Sequence, residues 1–166
     1  MNGLTWRAPA LVLLPLSLLA SACSRSPEPV EGRTVASAAS AAGEGPLVTV
    51  YKTPTCGCCR SWVDHLRQAG FRVETVDRED LSPVKKEHGV PQALHSCHTA
   101  VVDGYAVEGH VPADVIRKLL AERPAVKGIA VPGMPMGSPG MEGPRKDPYE
   151  VFTFDASGPK DVYAVR

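Results

Sequence analysis

The sequence has no net charge and few aromatic residues. Its 166 residues include 18 Lys and Arg against 18 Asp and Glu, and Phe, Trp and Tyr together make up 5%. Proteins that bind nucleic acid through its phosphates carry a basic surface, and those that bind single strands add aromatic side chains on which bases stack. The sequence shows neither a basic stripe nor an aromatic platform, which excludes a nucleic-acid partner of that kind.

The sequence also lacks an unbroken apolar run long enough to span a membrane. The apolar segment at residues 8–19 is interrupted by Pro9 and Pro15, whereas a membrane helix needs about 20 apolar residues. Arg7 precedes the segment and Ala20-Ser21-Ala22 follows it, which is the layout of a secretory signal peptide with a small-residue cleavage site. We therefore predict a signal peptide over residues 1–22 and export of the protein.

Cleavage after Ala22 leaves Cys23 as the first residue. The segment is similar to a bacterial lipoprotein signal, in which this cysteine is lipidated, although Ala20 stands where leucine is usual. Residues 23–46 contain almost no large apolar side chains, which predicts a flexible tether. The prediction is a periplasmic lipoprotein whose only membrane contact is the anchor at Cys23. Secretion with Cys23 as a free thiol is the alternative.

The remaining residues, 47–166, carry the periodicity of one α/β domain. Residues 47–51 form an apolar run typical of a strand buried on both faces, and Cys59, Trp62 and Leu66 follow at helical spacing. The elements predicted after them are a strand at 71–76, a short helix at 82–89, a hairpin at 99–102 and 105–108, and a helix at 112–122. This βαβαββα order, with cysteines at the first strand-to-helix junction, resembles the thioredoxin-like fold.

Two features depart from a plain thioredoxin-like domain. Thioredoxins open their third strand with a cis-proline, and this chain has Thr99 there, which argues against ordinary disulfide exchange. Past the last helix, a Met-rich segment at 128–148 is dense in Pro and Gly, and an alternating pattern follows at 149–154 and 162–165. We predict a Met-rich loop and then a C-terminal β-hairpin that packs on the domain or extends its sheet.

Three of the five cysteines lie within four residues, in the sequence Cys56-Gly57-Cys58-Cys59. A disulfide needs two sulfurs, so a third adjacent thiol indicates metal binding, redox chemistry or both. Cys56 and Cys59 have the C-x-x-C spacing at the start of a predicted helix, where the positive partial charge of the helix end and the cation of Arg60 favour thiolates. Thiolates serve disulfide exchange and soft-metal binding alike, so their acidity does not separate the two.

Three observations favour Cu(I). Cys58 is superfluous for disulfide exchange, which needs only a pair of cysteines. Thiolate and thioether sulfurs select Cu(I) over hard cations. The candidate donors are Cys56, Cys58, Cys59, Cys97, His95, His98, Met134, Met136 and Met141. Because the adjacent Cys58 and Cys59 cannot readily face one ion, we predict that shared thiolates bridge several Cu(I) ions.

Other interpretations of the cysteine pattern stay open. Zinc would take four cysteines, or three with a histidine, but the usual paired C-x-x-C knuckles are absent. An iron–sulfur cluster is poorly suited to an oxidising compartment. A structural disulfide could join Cys56 to Cys59 or to Cys97. The enzymatic alternatives are a thiol–disulfide oxidoreductase, with Cys56 as nucleophile and Cys59 as resolving thiol, and a copper oxidoreductase.

Four motifs together carry a resemblance to a known family. They are Cys56-Gly57-Cys58-Cys59, residues 96–105 around Cys97-His98-Thr99, residues 108–113 around Gly109-His110-Val111-Pro112, and residues 133–142 with the three methionines. Across residues 47–166 the chain resembles the CopG-type copper-resistance proteins, small exported bacterial proteins long catalogued as a domain of unknown function. The resemblance implies a thioredoxin-like domain in the periplasm, Cu(I) on Cys56, Cys58, Cys59 and Cys97, a role in copper tolerance, and copper ions and periplasmic copper-handling proteins as partners.

The remaining histidines receive separate predictions. His65 and His88 are predicted to be surface residues, and His98 is a candidate ligand or gate beside Cys97. His110 follows a predicted strand, and the pattern leaves open whether it reaches the cysteines.

Overall fold

The computed structural model of the chain describes residues 45–166, so the predicted signal peptide, Cys23 and nearly all of the tether lie outside the described residues. The strands are β1 Leu47–Lys52, β2 Arg72–Asp77, β3 His98–Val102, β4 Tyr105–Glu108, β5 Gly128–Ala130, β6 Glu150–Asp155 and β7 Gly158–Val165. The helices are α1 Gly57–Gln68, α2 Ser82–Glu87 and α3 Ala113–Glu122, with a 3₁₀ turn at Gln92–Leu94. Between residues 45 and 166 the structure contains no helix both long and apolar enough to cross a membrane.

The strands form one sheet in the order β2-β1-β3-β4-β5-β6-β7. β1 pairs parallel to β2, as a right-handed βαβ unit requires, and antiparallel to β3. Asp103 and Gly104 join β3 to β4 in a tight hairpin, and both adopt positive φ. The predicted α/β fold class, a thioredoxin-like domain with an added hairpin, is confirmed.

The C-terminal hairpin extends the sheet through a strand that the sequence did not predict. Gly128–Ala130, predicted as loop, is β5, and it pairs parallel to β4 and antiparallel to β6. A side chain at Gly128 would collide with the Ala106 carbonyl and the Phe154 ring, so only glycine permits this close strand approach. The correction joins β6 and β7 to the thioredoxin-like part by continuous backbone hydrogen bonding.

The sheet carries apolar residues on both faces, but unequally. The larger core cluster joins Val48 and Val50 of β1 to Trp62 of α1 and Ile116 of α3. A smaller cluster on the opposite face centres on Phe154 of β6. The prediction that β1 is buried on both faces is wrong, because its alternate residues, at 49 and 51, stay partly exposed where the smaller cluster does not extend.

Candidate metal centre

The cysteine loop lies at the N-terminus of α1. Cys56 is the N-cap residue, and its Sγ accepts the backbone N–H of Cys59 at 3.4 Å. The Cys56 N–H in turn donates to the Thr53 carbonyl at 3.2 Å, which closes the turn leaving β1. The cap places sulfur where the helix has unpaired N–H groups and positive partial charge, as predicted from the sequence.

Cys56 and Cys59 form a disulfide, and Cys58 and Cys97 are free thiols. This pairing is one of the alternatives that the sequence left open. Cys58 Sγ lies 3.4 Å from Cys56 Sγ, so a third sulfur stands against the disulfide. Binding of a metal by Cys56 and Cys59 as thiolates therefore requires that the disulfide first be reduced.

Cys97, the residue just before β3, completes this group of sulfurs. The sulfurs of Cys56, Cys58, Cys59 and Cys97 all lie within 4.8 Å of one another. Cys59 is fully buried, whereas the other three cysteines are half-buried. The structure thus brings together the four cysteines predicted from the sequence and leaves the two free thiols, those of Cys58 and Cys97, partly exposed to solvent.

Two histidines lie against Cys97. Its Sγ is 3.3 Å from His98 Nδ1 and 2.9 Å from His110 Nε2, and the three residues form a second group of donors within 4.8 Å. The His98 ring is fully buried against Trp62, with ring centroids 4.3 Å apart. Within residues 45–166, His98 Nε2 has no hydrogen-bond partner. A buried ring nitrogen without a partner is consistent with a metal or another group completing the site.

The orientation of His110 is set by the Met-rich loop. His110 Nδ1 lies 2.7 Å from the Pro139 carbonyl, and a carbonyl oxygen only accepts, so Nδ1 carries the proton. In the neutral ring, Nε2 then presents its lone pair toward Cys97. Burial lowers the pKa of His110 and lowers that of His98 well below its usual range. Both rings are therefore neutral nitrogen donors at pH 7.

The thiol of Cys97 is held protonated in the metal-free protein. Burial, and after it the neighbouring Cys58, raises the pKa of Cys97 to about 12. A metal ion that binds this sulfur must displace the proton.

His110 is the site residue that the sequence analysis did not place. The signal was nevertheless present in the predicted hairpin. Thr99 faces Glu108 across β3 and β4, and continuing that antiparallel register by two residues sets Cys97 opposite His110. The Gly109 N–H donates to the His98 carbonyl at 3.1 Å, which extends the pairing beyond the strands.

The other predicted histidines lie elsewhere. His95 is exposed, and its Nε2 is 3.2 Å from the Val90 carbonyl, outside the two donor groups. His65 was predicted to be a surface residue, but it is half-buried because its Nε2 accepts the Ala113 N–H at the start of α3. His88 is likewise half-buried, beside the Tyr51 ring, so both side chains lie at the surface only in part.

The Met-rich loop contacts the site through its backbone. Gly140 packs so closely that an added Cβ would lie 2.6 Å from the Cys58 carbonyl oxygen and 3.3 Å from His110 Nδ1. Met134 is 52% exposed, and Met136 and Met141 are half-buried. Their role as copper ligands stays a prediction.

The donor set fits a soft metal ion. Once the Cys56–Cys59 disulfide is reduced, four cysteine sulfurs and two neutral imidazoles are the ligand types that Cu(I) and other thiophilic ions prefer, and the two groups share Cys97. The cluster of cysteines and histidines is therefore able to hold metal.

Comparison with known proteins identifies the family of the chain. Residues 94–141 match the family model described as "Protein of unknown function, DUF411", and no curated protein sequence matches significantly. Two solved structures of copper resistance protein copG, Forms 1 and 2, are each 48% identical, with TM-scores of 0.69 and 0.70; the match covers 74% of this chain and 98% and 99% of theirs. The chain therefore belongs to the family of the copper resistance protein copG, the DUF411 family.

Proposed function

We propose that this protein captures Cu(I) on the thiolates of Cys56, Cys58, Cys59 and Cys97 and thereby contributes to copper tolerance. The observation that carries the proposal is the convergence of these four sulfurs within 4.8 Å. The kinship with copper resistance protein copG supports copper as the metal. Thiolate ligands in turn favour Cu(I) over hard cations.

The proposed cluster holds more than one copper ion. Cys97 Sγ belongs both to the cysteine group and to the group with His98 and His110, so one sulfur faces two sets of donors. Cys58 and Cys59 are adjacent in sequence, which favours bridging between ions over chelation of a single ion. Met134, Met136 and Met141 are proposed as accessory thioether donors from the neighbouring loop.

Binding of Cu(I) by all four cysteines depends on the oxidation state of the Cys56–Cys59 disulfide. Two electrons and two protons, supplied by a dithiol reductant, convert the Cys56–Cys59 disulfide to two thiols. The half-buried Cys58 and Cys97 leave a route for exchange of Cu(I) with periplasmic copper-handling proteins. Buffering and transfer of Cu(I) is one mode that this site supports, and cycling of copper between oxidation states is the other.

The proposal includes a location. The signal-like residues 1–22, the lipidation candidate Cys23 and the tether to residue 46 support a lipoprotein facing the periplasm. In that compartment bound metal protects neighbouring thiolates from oxidation.

A thiol–disulfide oxidoreductase is the second candidate function, because the C-x-x-C pair does form a disulfide at the N-terminus of α1. Cys56 would act as the nucleophile and Cys59 as the resolving thiol. Two features count against it. Thr99 is a strand residue inside β3 and takes the position of the expected proline, and Cys58 stands against the disulfide without a role in exchange.

Anaerobic Cu(I) titration of the reduced full-length protein tests the proposal, with native mass spectrometry to count the ions. We expect more than one Cu(I) per chain and a lower count in Cys97→Ser and Cys58→Ser. Cys23→Ser is the matched control, since it also removes one cysteine, and it should keep the wild-type count. A single copper per chain would reject the multinuclear cluster, and no binding would reject the function.

Reduction of a protein disulfide by copper-free protein separates the two candidates. An oxidoreductase retains this activity in Cys58→Ser. A copper-binding protein shows little of it in either form, and Cys58→Ser instead loses copper.

A further inference from the structure

A buried charged network lies beside the cluster without contributing any of its ligands. Glu108 of β4 is fully buried, and Lys85 of α2 is 7% exposed at its side chain. The two form an ion pair of 2.5 Å between Lys85 Nζ and Glu108 Oε1. Neither residue was predicted from the sequence to have a functional role.

Every polar atom of this pair has a partner on the segment that carries Cys97. Glu108 Oε1 also accepts the backbone N–H of Ser96 at 2.6 Å. Glu108 Oε2 accepts the Thr99 hydroxyl at 2.7 Å, and Lys85 Nζ donates to Thr99 Oγ1 at 3.1 Å. One carboxylate thus holds both Ser96, the residue immediately before Cys97, and Thr99, the second residue after it.

Stability alone is a poor explanation for these charges. Removing two charges from water is costly, and a buried ion pair is often no better for stability than apolar side chains of similar size. A fully hydrogen-bonded pair does, however, fix the geometry of the groups that it contacts. Here the fixed groups are the backbone of Ser96 and the side chain of Thr99, which bracket Cys97 and His98.

We propose that the Lys85–Glu108 pair is a positioning device that holds Cys97 against the Cys56–Cys59 loop. Glu108 contributes the decisive contact, its hydrogen bond from the Ser96 N–H, and Lys85 balances the charge of the buried carboxylate. The inference rests on the proposed function insofar as it assigns this geometry to copper binding. The geometry itself is testable without copper.

Cross-linking of the two free thiols measures the geometry. In copper-free protein with the disulfide intact and a Cys23→Ser background, Cys58 and Cys97 are the remaining thiols. Dibromobimane bridges such a pair and becomes fluorescent. The double variant Lys85→Met/Glu108→Met removes both charges and the acceptor together, so it leaves no unpaired buried charge. We expect its cross-linking rate to fall by about tenfold or more, because small displacements of paired groups carry large rate effects.

Two further variants separate positioning from general loosening of the fold. Lys85→Met/Glu108→Gln is also uncharged but keeps an oxygen that accepts the Ser96 N–H, and we expect it to regain most of the cross-linking rate. Leu119→Ala opens a cavity in the larger core cluster, where Leu119 is fully buried and makes none of the hydrogen bonds of this network, and should leave the rate unchanged. The proposal is overturned if the Met/Met protein cross-links at the wild-type rate, if Leu119→Ala loses as much, or if the Gln variant is no faster than Met/Met.

Copper affinity provides the functional readout. Loss of a group that orients a metal ligand typically lowers affinity by about 10- to 100-fold, so we expect that loss in Met/Met and recovery in the Gln variant. Unchanged affinity in Met/Met would overturn the assignment to copper binding. If the wild-type protein binds no copper, the proposed function fails, whereas the cross-linking result still decides whether the pair positions Cys97.

Discussion

The tautomer of His110 is set by Pro139, a residue of the Met-rich loop. The Pro139 carbonyl fixes the proton on Nδ1, and Nε2 is thereby left to face Cys97 Sγ at 2.9 Å. Backbone partners of this kind orient histidine ligands in metal proteins and fix their tautomer. The ring therefore links the Met-rich loop to the cysteine cluster.

We expect His110→Ala to lower the affinity for Cu(I) by at least about tenfold, because it removes a neutral nitrogen donor beside Cys97. Competition with a chromogenic Cu(I) chelator measures the affinity. His95→Ala is the matched control, since His95 is exposed and lies outside both donor groups. Equal affinities in the two variants would show that His110 is not part of the site.

The sequence predicted individual site residues with uneven success. The four cysteines could be assembled from a recognisable C-x-x-C pattern and a family resemblance, and the structure brings their sulfurs together. To place His110 at the site from the sequence, the register of the predicted β3–β4 hairpin would have had to be continued two residues past its last pair, Thr99 and Glu108. In the sequence, Glu108 is an ordinary polar residue at the end of a predicted strand. Its role depends on its contact with Lys85, and no local sequence pattern predicts where Lys85 lies relative to it.

Among the elements, the Met-rich loop shows how proline and glycine serve a site. Gly140 has φ +84, and its missing side chain lets the backbone approach the Cys58 carbonyl and the Trp62 N–H. Glycine adopts this left-handed conformation without steric cost, whereas other residues do not. The neighbouring Pro139 carbonyl is thereby held on His110.

Gly140→Ala should both destabilise the protein and weaken copper binding. Gly133→Ala is a matched control, because Gly133 also has positive φ but an added Cβ would meet nothing within 4 Å. Each variant carries left-handed strain of about 1–2 kcal/mol. Only Gly140→Ala adds a collision with Cys58 and displaces Pro139 from His110. We expect a larger loss of unfolding free energy in denaturant titration and a lower Cu(I) affinity for Gly140→Ala. Identical effects of the two substitutions would contradict this role of the loop.

The elements themselves were more predictable than their lengths and partners. Hydrophobic periodicity indicated α1 and α3, and Asp103-Gly104 indicated the hairpin. β5 was missed because three residues, Gly128, Ile129 and Ala130, are too few for a period to be visible, and its existence depends on pairing with β4 and β6. Such a strand is defined by tertiary contacts more than by its own sequence.

At the scale of the molecule, the candidate site draws on segments spread along the domain. The start of α1, the start of β3, the residues after β4 and the Met-rich loop all meet at Cys97 and His110. The seven-stranded sheet holds both ends of that loop, which in the structure spans residues 131–149: β5 ends just before it and β6 begins just after it. The C-terminal hairpin therefore anchors the far end of the loop, as expected for a hairpin that extends the sheet, whereas β5, which anchors the near end, was not predicted from the sequence.

The proposed location also concerns the whole chain, since an anchored copper protein must reach the periplasm through its N-terminus. If Cys23 carries a lipid, wild-type protein produced in a Gram-negative bacterium fractionates with membranes, because the acyl chains insert into the apolar part of the bilayer. We expect Cys23→Ser to move the protein into the soluble periplasmic fraction, whereas Cys58→Ser remains with the membranes. Immunoblots of the separated fractions measure the distribution. Wild-type protein in the soluble fraction would reject the anchor, and Cys23→Ser protein retained on membranes would assign the attachment to another feature.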